Sequence, residues 1–129
     1  MSPAVQYKKG RLQDLMSLRM ADGLSVTAES IEFNVLGAGH EFWVAEEGDV
    51  AIGVAVVAKE NEFNLRVLHL EVAPIRKKEG VGSGLLKAVI ENYPLSRLWV
   101  TPFEGTEEFY GQLGFVRAGR WEMKREPTA

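Results

Sequence analysis

The sequence predicts an α/β fold with a mixed, mostly antiparallel sheet flanked by helices. Three observations predict it. Val50 to Ala58 is an almost unbroken apolar run, the mark of a central strand covered on both faces. Val81, Leu85, Leu86, Val89, Ile90 and Tyr93 recur at helical spacing and give one broad apolar face. Between such segments lie short strand-like runs separated by turn residues, such as Glu47-Gly48-Asp49 and Glu60-Asn61-Glu62. The predicted order is β α α β β β α β α β β.

Ala4 to Lys9 reads as the first strand. Arg11 to Met20 sets Leu12, Leu15, Met16 and Met20 on a helical stripe, which Asp22-Gly23 ends. Thr27 suits the N-cap of a second helix that reaches Leu36 and stops at Gly37-Ala38-Gly39. Glu41 to Glu46 and Val50 to Lys59 make a hairpin, and Asn64 to Val72 supplies the next strand. The helix from Val81 ends before Pro94, which lacks the N–H needed to continue it. Leu98 to Thr101 is a strand. Thr106 to Leu113 is a short helix closed by Gly114, a residue type that tolerates the left-handed conformation found there. Phe115 to Ala118 and Arg120 to Lys124 form a last hairpin around Gly119.

The chain is read as one domain over residues 1–129, long enough to bury a core without disulfides or metals. Its formal net charge of −3 lacks the basic excess of a nucleic-acid binder, so no nucleic-acid partner is expected. With no cysteine there is no disulfide, thiolate nucleophile or cysteine zinc site, and two histidines far apart predict no metal. Met1 to Tyr7 shows no charged region followed by an apolar run, and no stretch is long and apolar enough to span a membrane. The expected location is the cytoplasm.

The chemistry concentrates at Arg76-Lys77-Lys78-Glu79-Gly80-Val81-Gly82-Ser83-Gly84, between a strand and a helix. Glycines let the backbone approach an anion, and the first N–H groups of a helix point outward with no internal partner. A phosphorylated ligand is therefore expected. A nucleoside-triphosphate loop needs Gly-Lys-Ser/Thr, but Leu85 follows Gly84. A dinucleotide fingerprint needs a third glycine where Leu85 stands, directly after a first strand. The remaining pattern is a basic residue, two others, then Gly-x-Gly: Lys77 to Gly82.

That pattern resembles the acyl-CoA pyrophosphate loop of the GNAT acetyltransferase superfamily. Phe109-Tyr110-Gly111-Gln112-Leu113-Gly114-Phe115 resembles the same family's downstream segment, and Leu70-Glu71-Val72-Ala73-Pro74 its preceding strand end. The resemblance implies a single-domain GNAT-like fold that binds acetyl-CoA and transfers the acetyl group to an amine by direct attack in a ternary complex. It implies that Lys77, Lys78, Glu79, Gly80, Val81, Gly82 and Ser83 hold the pyrophosphate. It further implies that Val72 pairs with pantetheine and polarises the thioester carbonyl, and that Tyr110 protonates the departing thiolate. Phe103 stands where many members carry an asparagine.

An amine attacks in its neutral form, so a proton acceptor is needed. His69 and Glu71 share one face of their strand, and Glu104 lies in the turn after the next one. Glu71 is preferred as the base, being nearest the expected thioester. The acceptor region is expected around Leu12 to Gly39, where Ser25, Glu29, Glu32 and Asn34 lie. The partner is a small-molecule or peptide amine, and family members often form dimers, so a homodimer stays open. Two alternatives remain. One is a module of the same fold that senses acyl-CoA without turnover; the other is an unrelated nucleotide-binding domain.

Overall fold

The structure, a computed structural model, describes residues 4–128. The targeting reading of Met1 to Tyr7 rests partly on residues 1–3, which lie outside the described residues. The strands are β1 (Val5–Lys9), β2 (Arg19–Met20), β3 (Glu41–Glu47), β4 (Val50–Asn61), β5 (Asn64–Val72), β6 (Arg97–Val100), β7 (Val116–Arg117) and β8 (Met123–Arg125). Helix α1 (Ala28–Ser30) runs into a π-helical stretch, Ile31–Leu36; α2 (Val81–Asn92) and α3 (Glu107–Gln112) follow. One sheet holds the strands in the order β1-β3-β4-β5-β6-β8-β7, with β2 added beside β4. Among the described strands, only the pairs β5–β6 and β2–β4 are parallel. This is the mixed, mostly antiparallel α/β fold that the sequence predicts.

β4 is the central strand, buried from Ala51 to Ala58. Two-residue alternation sends Ala55 and Val57 to one face, against Val81, Leu85, Leu86 and Val89 of α2. Val54 and Val56 go to the other face, against Ile31 and Val35. Thr27 caps the first of these helices: its hydroxyl accepts from Ser30 N–H at 3.0 Å, and Ser30 Oγ accepts from Thr27 N–H at 2.9 Å.

The segment Arg11 to Met20 departs from its expected helix. It forms a 3-10 turn, Leu12–Met16, and then β2. The stripe lacks the burial that would hold a helix: Leu12 is 57% exposed and Met16 92%, and only Leu15 is buried. Beyond it, Arg19 and Met20 pair with Val50 and Ala51, an edge of β4 that β5 does not reach. Hydrogen bonding to that edge outweighs the helical spacing. The last hairpin is also shorter than expected: β8 begins at Met123, and Ala118 N–H bonds to Glu122 O at 3.0 Å. The turn after β4 likewise falls later, since β4 runs on to Asn61.

β1 leaves the sheet at Gly10, whose N–H bonds to Phe42 O at 2.8 Å. A Cβ there would lie 1.9 Å from Phe42 Cε2, and Phe42 is fully buried. Gly10→Ala is expected to destabilise the fold by about 1–3 kcal/mol, read as a lower denaturant midpoint at unchanged slope.

The feature that shapes the site is a bulge in β5. Val56 pairs with His69 and Val57 with Val67, so Leu68 is an extra, unpaired residue that bends the strand. β6 pairs with β5 only from Asn64 to Val67. Past the bulge the two parallel strands part. The β5 edge from Leu68 to Val72 is left facing a gap.

Candidate active site

At the far end of β5 a 3-10 turn, Pro74–Arg76, leads into the glycine run. Lys78 (φ 68°) and Gly80 (φ 83°) both take the left-handed conformation, which swings the chain sharply into α2. The first hydrogen bond of α2 is Gly84 N–H to Gly80 O at 3.0 Å. The N–H groups of Val81, Gly82 and Ser83 therefore have no acceptor within the helix. Each glycine has its own reason. Gly80 meets the positive φ. A Cβ on Gly84 would lie 2.4 Å from Tyr7 Cζ, so it permits close packing of α2 on β1. A Cβ on Gly82 meets only ordinary contacts, 3.5 Å from Val72 Cγ2 and 3.6 Å from Phe109 Cζ. Packing therefore does not demand glycine at Gly82, which lines the cavity between β5 and β6.

Arg76 is committed elsewhere. Its Nη1 donates to Glu47 Oε1 at 2.7 Å and its Nε to Glu79 Oε1 at 2.9 Å. These bonds tie the turn to the end of β3 and draw the Glu79 side chain toward Arg76. The positive charge left at the glycine turn is that of Lys77 and Lys78. The spacing of Arg76 and Glu79 is a legible local signal; the partnership with Glu47, from a distant strand, is not.

One cavity of about 670 Å³ follows the gap between β5 and β6. Val72, Lys77, Lys78, Gly80, Val81, Gly82, Ser83 and Tyr110 all line it, together with Arg76 and His69. Glu71, Glu79 and Glu104 are not among the lining residues. Phe103 stands at the mouth, 80% exposed. Ala73 N–H bonds to Ile52 O at 2.8 Å, on the β4 side. By alternation the Val72 N–H points the other way, into the gap. A bare strand edge can pair with an extended ligand that carries amides.

Tyr110 comes from α3, whose N-cap is Thr106. Its ring packs edge-on against Phe109 and Phe115, at centroid distances of 5.1 and 5.5 Å. Burial pushes its phenol up, so it stays protonated at physiological pH. Among the described residues its hydroxyl has no protein hydrogen-bond partner, and the ring borders the cavity.

Glu71 lies on the other face of β5. Its Oε1 accepts from Ser25 N–H at 2.5 Å and its Oε2 from the Ser25 hydroxyl, while His69 Nε2 lies 2.7 Å from Oε2. Burial pushes the carboxyl up, but the bonds from Ser25 and His69 outweigh it and hold Glu71 below its ordinary range. Ser25 comes from the β2–α1 connection, which also packs Gly23 on Pro74. No sequence spacing announces that contact. Among the described residues no group of three or more His, Cys, Asp or Glu side chains could hold a metal ion. None of the described helices is long and apolar enough to cross a membrane.

Fold and site thus define a class: an α/β domain whose sheet opens beside a glycine turn with free helix N–H groups, with a protonated phenol lining the gap. A family model, the acetyltransferase (GNAT) domain, matches residues 38–117. An uncharacterised N-acetyltransferase in the lysA 3′ region of Bacillus methanolicus is 35% identical over 68 residues, 52% of each chain. The match therefore spans about half the length of that curated relative. A GNAT family acetyltransferase from Elizabethkingia anophelis, solved with acetyl-CoA bound, superposes with a TM-score of 0.70 at 15% identity, covering 95% of this chain and 97% of that one. One from Brucella melitensis, in complex with acetyl-CoA, gives 0.71 at 16% identity, covering 95% and 88%. These two show the shared fold. The chain belongs to the GNAT acetyltransferase family.

Proposed function

We propose that this chain is an acetyl-CoA-dependent N-acetyltransferase acting on an amine by direct attack in a ternary complex. The observation that carries the reading is the single cavity that brings together the anion-binding turn, the bare β5 edge and the Tyr110 phenol. Two proteins of this fold hold acetyl-CoA, which supports the choice of donor. Acetyl-CoA supplies a thioester whose acyl carbon is open to a nucleophile.

The free N–H groups of Val81, Gly82 and Ser83, with Lys77, Lys78 and Gly80 beside them, hold the pyrophosphate; the helix dipole adds to their attraction. Glu79 contributes its backbone, since its side chain is bonded to Arg76. The Val72 N–H pairs with the pantetheine arm and stabilises charge on the carbonyl oxygen. Tyr110 donates its proton to the departing sulfur. The chain has no cysteine for an acyl-enzyme, which agrees with direct attack. The acceptor is a small-molecule or peptide amine. The single domain over 1–129, the cytoplasmic location and an open homodimer belong to the same proposal.

A thiol-release assay with acetyl-CoA tests it, using spermidine, glycine, a lysine-containing peptide and a peptide with a free N-terminus. Release above the amine-free rate with at least one of them is expected. Acetyl-CoA binding with no release would favour a non-catalytic sensor. Failure to bind acetyl-CoA would sink both readings.

A further inference from the structure

His69 and Glu71 are two residues apart on one face of β5, yet they stand differently toward the cavity. His69 lines it and Glu71 does not. Both Glu71 oxygens are already taken, by the N–H and hydroxyl of Ser25 and by His69 Nε2. The carboxylate thus accepts three hydrogen bonds and is held off the cavity lining, where the imidazole stands instead.

We infer that His69 accepts the proton of the attacking amine, and that Glu71, locked by Ser25, is the positioning residue that sets its ring. The inference rests on the N-acetyltransferase reading above. An ionised carboxylate can only accept a hydrogen bond, so the Nε2 facing Glu71 carries the proton. That fixes the tautomer and leaves Nδ1 with a free lone pair. Among the described residues Nδ1 has no protein hydrogen-bond partner, and Glu71 is the one charged group in polar contact with the ring. Val56, opposite His69 on β4, is apolar.

The step balances. The amine lone pair forms the N–C bond and the C–S bond breaks. The nitrogen's surplus proton passes to His69 Nδ1, and the sulfur takes the Tyr110 proton. The products are the N-acetyl amine and free CoA. The imidazolium and phenolate then return to their starting states by proton exchange with water.

The test compares His69→Gln, Glu71→Gln and Ser25→Ala with the unmodified protein, using the amine that turns over fastest in the thiol-release panel. His69→Gln is expected to lower kcat about 100-fold, leave the acetyl-CoA KM within about twofold, and erase the ascending limb of the pH–rate profile. Glu71→Gln and Ser25→Ala are expected to lower kcat by about tenfold or less and keep that limb. Added imidazole is expected to restore turnover to His69→Ala alone. Nitrogen-15 NMR of the unmodified protein reads the tautomer in mildly alkaline buffer, without any acceptor, and protonated Nε2 is expected. An unprotonated Nε2 would overturn the assignment. So would a His69→Gln enzyme with near-normal kcat, or a Glu71→Gln enzyme that loses the limb, which would return the base to Glu71. Absence of turnover in the unmodified protein with every amine marks failure of the broader reading instead.

Discussion

Tyr110→Phe is expected to lower kcat about 100-fold while leaving the acetyl-CoA KM within about twofold. The substitution removes one oxygen and keeps the ring, so the contacts with Phe109 and Phe115 survive. Stability should hold as well, because the hydroxyl has no protein hydrogen-bond partner to lose among the described residues. What disappears is the hydroxyl that the proposal assigns as proton source for the leaving thiolate. Transfer from a phenol of pKa about 10 to a thiolate whose thiol has pKa about 8.5 is uphill in water. Burial raises both values, and the apolar lining around Val67, Leu70, Val100 and Phe109 desolvates a thiolate there. The direction of the Tyr110 shift also fixes a pH dependence. The acid must be protonated to act, and burial pushes its phenol above the ordinary value of about 10, so Tyr110 produces no descending limb in kcat below about pH 10. A steady-state comparison across pH checks both statements. An unchanged kcat in Tyr110→Phe would remove the acid role and favour water as the proton donor.

Gly82→Glu is expected to weaken acetyl-CoA binding about 100-fold or more while leaving the melting temperature equal or higher. The two effects separate because the fold and the ligand ask opposite things of this position. For the helix, replacing glycine relieves a cost of about 1 kcal/mol, and an acidic side chain in the first turn suits the dipole. The added Cβ meets only ordinary contacts with Val72 and Phe109. For an anion, the same Cβ narrows the cavity that Gly82 lines and the carboxylate repels it. Gly82→Ala isolates the steric part and is expected to weaken binding about tenfold. Calorimetric titration with acetyl-CoA beside a thermal melt reads both quantities. Full binding by Gly82→Glu would show that the pyrophosphate lies elsewhere.

Elements carried by local pattern were legible in the sequence. α2 follows from its apolar spacing and Pro94, and the helix after Thr27 from a cap that closes within three residues. The glycine turn and the Phe109–Phe115 segment were legible for the same reason, and they led to the family. The helical stripe in Arg11 to Met20 does not encode what would cover it. Leu12 and Met16 face solvent, and an open edge of β4 took up Arg19 and Met20. The bulge at Leu68 has a local mark that goes unread: Leu65 and Val67 alternate with Asn64 and Arg66, Leu70 and Val72 alternate with His69 and Glu71, and the period slips by one residue at Leu68.

The candidate site divides along the same line. The sequence by itself determined the type of most elements and the glycine turn between β5 and α2, because these depend on residues close together along the chain. Only the tertiary structure decided that β5 and β6 part at Leu68, that Arg76 holds the turn through Glu47, and that Ser25 fastens Glu71 behind His69. Those outcomes depend on which side chains meet across strands and loops far apart in sequence. Ser25 and Glu71 are separated by 46 positions, and no local spacing encodes their contact.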